Sequence, residues 1–309
     1  MNNDRRRLRS RPLLLCGILL AFAGAAQGAL IANSAAAYAE PHTASLTGVN
    51  GPTGPVSSTS TVSPNGVAGG GGHGEAAYGA LRTSAEAVVS SDGQGRGIGS
   101  AALTDSVTPT SSFLGRAIGR GTFNLSGGLA SRVGPTSTAS LANSTLGVQV
   151  MVDGNSVFRL SAQLLSRNGV IEIDSVTWSG SDVAFSTSQI GGSYSFAMPF
   201  TLGTPFSLFA SMNSEAQALG SSSVDDAAAS SNFASTGYWG GITDIHLDDG
   251  TGVGDIAFGS ASGFDWGHAY GFATPPVTAV PEPGTYALML AGLALIGRAA
   301  RRRPAAEAI

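Results

Sequence analysis

Four carboxylates crowd one short stretch of this chain: Asp244, Asp248, Asp249 and Asp255 stand beside Gly250, Gly252 and Gly254. Hard cations such as calcium take several carboxylate and carbonyl oxygens. The cluster is therefore a candidate calcium site, with Asp225 and Asp226 as further donors. It departs from the EF-hand loop, because the sixth position from Asp244 is Asp249 and not glycine. The same residues also fit a hairpin, with Asp249-Gly250 at the turn and Asp244 and His246 on the solvent face. The four histidines, His42, His73, His246 and His268, share no metal-ligand spacing. Gly-x-Ser-x-Gly is absent, so a nucleophile elbow has no candidate. Gly97-Ile98-Gly99-Ser100-Ala101-Ala102 fits a dinucleotide fingerprint by letter only. It follows a Ser-Asp-Gly loop, and no βαβ unit surrounds it. No catalytic residues and no cofactor are expected. A secreted hydrolase would need paired carboxylates across a cleft, and one sequence does not place two of them face to face.

The aromatics Tyr238, Trp239, Trp266 and Tyr270 are open to two readings. They would make a stacking platform for carbohydrate, or they fill a core. Either role needs a sheet to hold them, and the middle of the chain supplies the pattern. Leu146, Val148, Val150 and Val152 alternate with Gly147, Gln149 and Met151. Asp153-Gly154 follows, a type I′ turn signal. Phe158, Leu160, Ala162 and Leu164 alternate next, and Asn168-Gly169 is a second turn. Ile171 and Ile173, then Tyr194 to Phe200, then Phe206 to Met212 continue the period of two. Asp249-Gly250 separates Ile242–Leu247 from Asp255–Phe258. Such strands predict an all-β, antiparallel β-sandwich with one face of each sheet buried. The sandwich is expected over 75–272, with a linker at 273–280.

Residues 29–74 read differently. From 41 onward they are mostly Gly, Ser, Thr and Pro, ending in Gly69-Gly70-Gly71-Gly72. The composition predicts a flexible, low-complexity segment without a core. Gly51-Pro52-Thr53-Gly54-Pro55 looks like collagen triplets, but two triplets make no triple helix.

Charge narrows the partners. The 309-residue chain has 44 glycines, about twice the usual share, and 12% charged residues, roughly half of normal. It has no lysine. Between residues 29 and 281, seven Arg face seventeen Asp and Glu, a net charge of −10. Nucleic acid is excluded as a partner held by phosphate neutralisation.

The two ends carry addresses. Arg5, Arg6, Arg7, Arg9 and Arg11 precede an apolar stretch from Leu13 to Ala26. Ala26-Gln27-Gly28 then presents small residues to a signal peptidase. Residues 1–28 therefore read as a secretory signal peptide, cut after Gly28 or, alternatively, after Ala39. The Leu-rich run favours the general secretory route over a twin-arginine one. The single cysteine, Cys16, lies inside this leader, so the mature chain has no thiol. At the other end, Val280-Pro281-Glu282-Pro283-Gly284 precedes an apolar run from Thr285 to Gly297. Arg298, Arg301, Arg302 and Arg303 close it as a membrane stop. The run is short of the ~20 residues of a full span, but Arg298 can snorkel. The terminal arginines mark both ends as cytoplasmic and everything between them as translocated.

This C-terminal composite, 281–303, resembles the PEP-CTERM sorting signal of Gram-negative bacteria that make exopolysaccharide. The resemblance implies a short transmembrane helix and processing by an exosortase near Pro281-Glu282-Pro283. Tyr78-Gly79-Ala80-Leu81-Arg82, Ala102 to Val107, Ser230 to Thr236 and Ser260 to Trp266 also look like segments of such proteins, where they belong to a jelly-roll-like sandwich. Asn124-Leu125-Ser126 and Asn143-Ser144-Thr145 are glycosylation sequons by letter. The expected protein is exported and noncatalytic. It is anchored transiently at the inner membrane, then displayed at the cell surface or in the matrix, with exopolysaccharide as its associated material. The alternative is a carbohydrate-binding module with the same fold and address.

Overall fold

The computed structural model describes residues 30–40, 49–51, 56–62, 68–90, 92–134, 140–179, 190–220 and 226–270. They are strands and turns, with no helix among them. The strands are β1 (Leu30–Glu40), β2 (Val49–Gly51), β3 (Val56–Val62), β4 (Ala68–Ala77), β5 (Ala80–Val89), β6 (Gly93–Thr110), β7 (Gly115–Leu125) and β8 (Gly128–Val133). They continue as β9 (Leu141–Val152), β10 (Asn155–Arg167), β11 (Val170–Ser179), β12 (Gly192–Leu202), β13 (Phe206–Gly220), β14 (Ala227–Leu247) and β15 (Ala257–Ser260).

Two antiparallel sheets form a sandwich. One runs β11-β10-β9-β13-β6-β1-β2, with β15 beside β6; the other runs β12-β7-β14-β5-β4-β3, with β8 beside β14. The winding is that of a jelly roll. β5 pairs β14, β6 pairs β13 and β7 pairs β12, in nested order and in alternate sheets. Pro199 sits in β12, an edge strand, where a missing N–H costs no ladder bond.

The turns follow their chemistry. Asp153 and Gly154 have φ of 48° and 78°, and Asn168 and Gly169 have 49° and 77°. Both pairs take the left-handed values that type I′ hairpins require. β11 breaks the expected alternation. Ile171 is 58% exposed, because β11 closes one edge of its sheet and a bulge at Leu165/Ser166 shifts its register.

The core tapers. The inner face of β6 reads Gly95, Gly97, Gly99, Ala101, Leu103, Asp105, Val107. At the broad end, Phe158, Tyr194, Phe196, Phe200, Phe206, Trp239 and Trp266 pack together. Burial pushes the Tyr194 phenol far above its ordinary range. In the middle, the hydroxyls of Thr83, Ser214 and Ser231 bond to one another at 2.8 and 3.1 Å. At the narrow end, almost every buried side chain is alanine, including Ala68, Ala85, Ala87, Ala216, Ala218 and Ala229.

The expectation of a flexible segment over 29–74, with the sandwich starting at 75, is therefore corrected. β1 and β3 lie within it, and β4 starts at Ala68. The glycines are there because the sheets nearly touch. A Cβ on Gly95, Gly97 or Gly99 would overlap the backbone oxygen of Gly69, Gly71 or His73 across the sandwich. Sheets ordinarily stack about 10 Å apart because side chains separate them. Here the side chains are absent on purpose, and the backbones take their place.

Candidate functional site

The broad end contains a buried carboxylate. β6 turns Asp105 inward, where it is 2% exposed. β15 lies against the same strand, pairing Ser260 with Val107. The chain then turns and lays residues 261–266 over Asp105. Oδ1 accepts the N–H of Ser106 at 2.9 Å and of Ser262 at 3.1 Å. Oδ2 accepts the Ser262 hydroxyl and the Trp266 indole N–H, the latter at 2.8 Å. A carboxylate offers about four lone-pair sites, and here four donors occupy them. That saturation suits an anchor. A general base needs a free lone pair aimed at substrate.

The anchor spreads outward through aromatics. Trp239 Nε1 donates to the Trp266 carbonyl at 2.7 Å, and their rings meet edge to face at 5.4 Å. Phe264 packs on Trp266 at 4.8 Å and on Tyr270 at 6.2 Å. Tyr270 N donates to the Trp239 carbonyl, and Trp239 N donates to the Gly79 carbonyl. Gly79, with φ of 82°, lies directly under Phe264 and Tyr270, where a Cβ would collide with both rings. Burial, and after it the nearby Asp105 charge, raises the pKa of Tyr78. Three of the four segments singled out in the sequence, around Gly79, Asp105 and Trp266, thus meet at one corner.

The carbohydrate platform is corrected here. Trp239 and Trp266 are 2% and 1% exposed, so neither can stack on a sugar. Tyr238 and Tyr270 are half-buried.

The calcium reading is corrected as well. Asp244 pairs with Arg120 at 3.3 Å and Asp248 with Arg116 at 4.0 Å. Asp249 caps its own turn. No group of three or more potential ligands occurs among the described residues. The hairpin reading holds: Gly250 N bonds to the Leu247 carbonyl, and Val253 N to the Ile245 carbonyl. Past it, Asp255–Phe258 does not continue as a partner of Ile242–Leu247; β15 crosses to the other sheet. Asp226 lies elsewhere, paired with Arg132 at 3.1 Å.

The Thr251 backbone N–H, then its hydroxyl, holds the Asp249 carboxyl below its ordinary 3.8. A depressed native pKa adds stability above the unfolded value and loses it as pH falls through the native one. The turn should therefore stay intact down to pH 3.8 and loosen below it. NMR titration of Asp249 should give a midpoint under 3.8; a higher midpoint would refute the capping bond.

Ala26 and Gly28, Val280 to Pro283 and Arg298 to Arg303 lie outside the described residues, as does the apolar run 285–297. Among the described residues no helix is long and apolar enough to cross a membrane. Asp105 was missed as an anchor by sequence reasoning. Its signal was phase: it is the one carboxylate in register with Gly99, Ala101, Leu103 and Val107.

No curated protein and no solved structure matches this chain. One family does match, and at the C-terminal end: residues 279–303 fit the PEP-CTERM protein-sorting motif. The chain therefore carries a PEP-CTERM protein-sorting motif behind a jelly roll, and that motif supports export and sorting by an exosortase.

Proposed function

We propose that this protein is a noncatalytic module of the cell surface or extracellular matrix, and that its sorting signal is spent in delivering it. The observation that carries the reading is the match at 279–303 placed just after a sandwich whose final segment is tied down at Tyr270. The tail holds the folded domain at the inner membrane until an exosortase acts near Pro281-Glu282-Pro283. Exopolysaccharide is the proposed associated material. The domain is acidic, so an anionic polysaccharide would need bridging cations.

A C-terminal epitope tag tests delivery. Surface-displayed protein should lack the tag in a strain with an intact exosortase and keep it in a strain without one. Tag retained on displayed protein in both strains would overturn the reading.

The leader is cut after Gly28 in this reading. β1 begins at Leu30 and pairs with β6 from Thr104 to Gln94. A cut after Ala39 would remove β1 and bare that edge of β6. Mass spectrometry of the mature protein should therefore find Ala29 at the N-terminus; Glu40 would refute it.

A further inference from the structure

We propose that the broad end of the jelly roll docks on the bilayer surface and that Phe113 and Leu114 at its tip enter the lipid headgroup region. This rests on the reading of the C-terminal run as a membrane anchor.

The tip is the turn between β6 and β7. Leu114 is 80% exposed, the most exposed large hydrophobic among the described residues, and Phe113 beside it is 40% exposed. The turn is fixed, since Phe113 N donates to Ser111 Oγ at 3.2 Å. Ile118, 44% exposed, lies further along the outward face of β7, past Arg116. A lone exposed leucine would need no explanation, but Phe113 and Leu114 stand side by side on one turn and offer a paired apolar tip.

The tether selects the membrane as occupant. The sandwich is pinned at Tyr270, bonded to the Trp239 carbonyl. From Tyr270 to Pro281 an extended chain spans at most ~36–40 Å. Along β14, from Trp239 to Leu247, the broad end is about 26 Å away. Leu247 pairs with Ala117, next to the tip. The narrow end, from Trp239 back to Ala227, is about 40 Å away, reached only by a fully stretched tether. Val170 and Ile171 are also exposed, at 63% and 58%, but they belong to the narrow end.

Charge selects the lipid. Arg116 and Arg120 near the tip face Asp248 and Asp244, and the neighbouring turns carry Asp153 and Asp249. Nothing there favours an anionic headgroup. The contact is apolar, and a zwitterionic phospholipid surface fits it.

The test uses the full mature chain from Ala29 to its C-terminus, which has no thiol of its own, so that one added cysteine is the only one. A polarity-sensitive fluorophore is placed at Ser112→Cys or, as control, at Val170→Cys. The protein is bound to phosphatidylcholine vesicles and checked by flotation. The label at 112 should shift to shorter wavelength and be quenched by spin-labelled lipid several-fold more than the label at 170. Phe113→Asp with Leu114→Asp should abolish that difference while flotation persists. Equal, aqueous signals at both sites on floating protein would overturn the docking, as would a shift that survives the double aspartate variant. A full chain that does not float would overturn the anchor reading itself, and the docking with it.

Discussion

Asp105→Ala should lower the melting temperature of the sandwich by about 10 °C. The substitution leaves the Trp266 indole N–H, the Ser262 hydroxyl and two backbone N–H groups facing a small apolar gap. Each buried donor left without an acceptor costs ~1–3 kcal/mol. A total of about 3 kcal/mol is a conservative sum, and a domain of this size loses ~2–4 °C per kcal/mol. Asp105→Asn keeps the shape but offers one acceptor oxygen instead of two, so its loss should be smaller. The damage should also be local at first. Limited proteolysis of Asp105→Ala should cut within 261–270 before it cuts the sheets, because that segment is held through Asp105. A melting temperature within about 2 °C of the parent would refute the anchor.

Gly97→Ala should cost as much through a single methyl group. The new Cβ would overlap the Gly71 carbonyl of the facing sheet, with the Glu86 carbonyl close behind. Both obstacles are backbone, so no rotamer change relieves them. Overpacking usually costs ~1–3 kcal/mol, and a clash that must move two strands belongs at the top of that range. Gly147→Ala is the matched control. It is also a strand glycine, but nothing lies within 4 Å of its added Cβ. There the smaller backbone entropy of alanine should stabilise by ~0.5–1 kcal/mol. Urea denaturation of the three proteins reads the contrast; equal midpoints for Gly97→Ala and the parent would refute the close approach of the sheets.

The strands of the broad end were legible because each carries its own evidence. Val148, Val150 and Val152 repeat with the period of a half-buried strand, and Asp153-Gly154 names its own turn. The narrow end was not legible, because Gly69 to Gly72 offers no side chain to show a period. A stretch without apolar side chains looks coreless until a second backbone is known to lie against it. Trp239 and Trp266 were ambiguous for another reason. An aromatic serves a core or a ligand equally well, and only burial separates the two.

The all-β class, the hairpin turns and the sorting motif were readable from the chain alone. These depend on local alternation, on residues two apart in a turn, or on one contiguous signal at 279–303. The tertiary structure alone decided the taper of the core, the burial of both tryptophans and the role of Asp105. Those depend on contacts between distant parts of the chain. Asp105 meets Ser262 and Trp266 across separations of 157 and 161 residues. No local pattern encodes which strands will face each other, and the meaning of a glycine or a carboxylate here is set by what faces it.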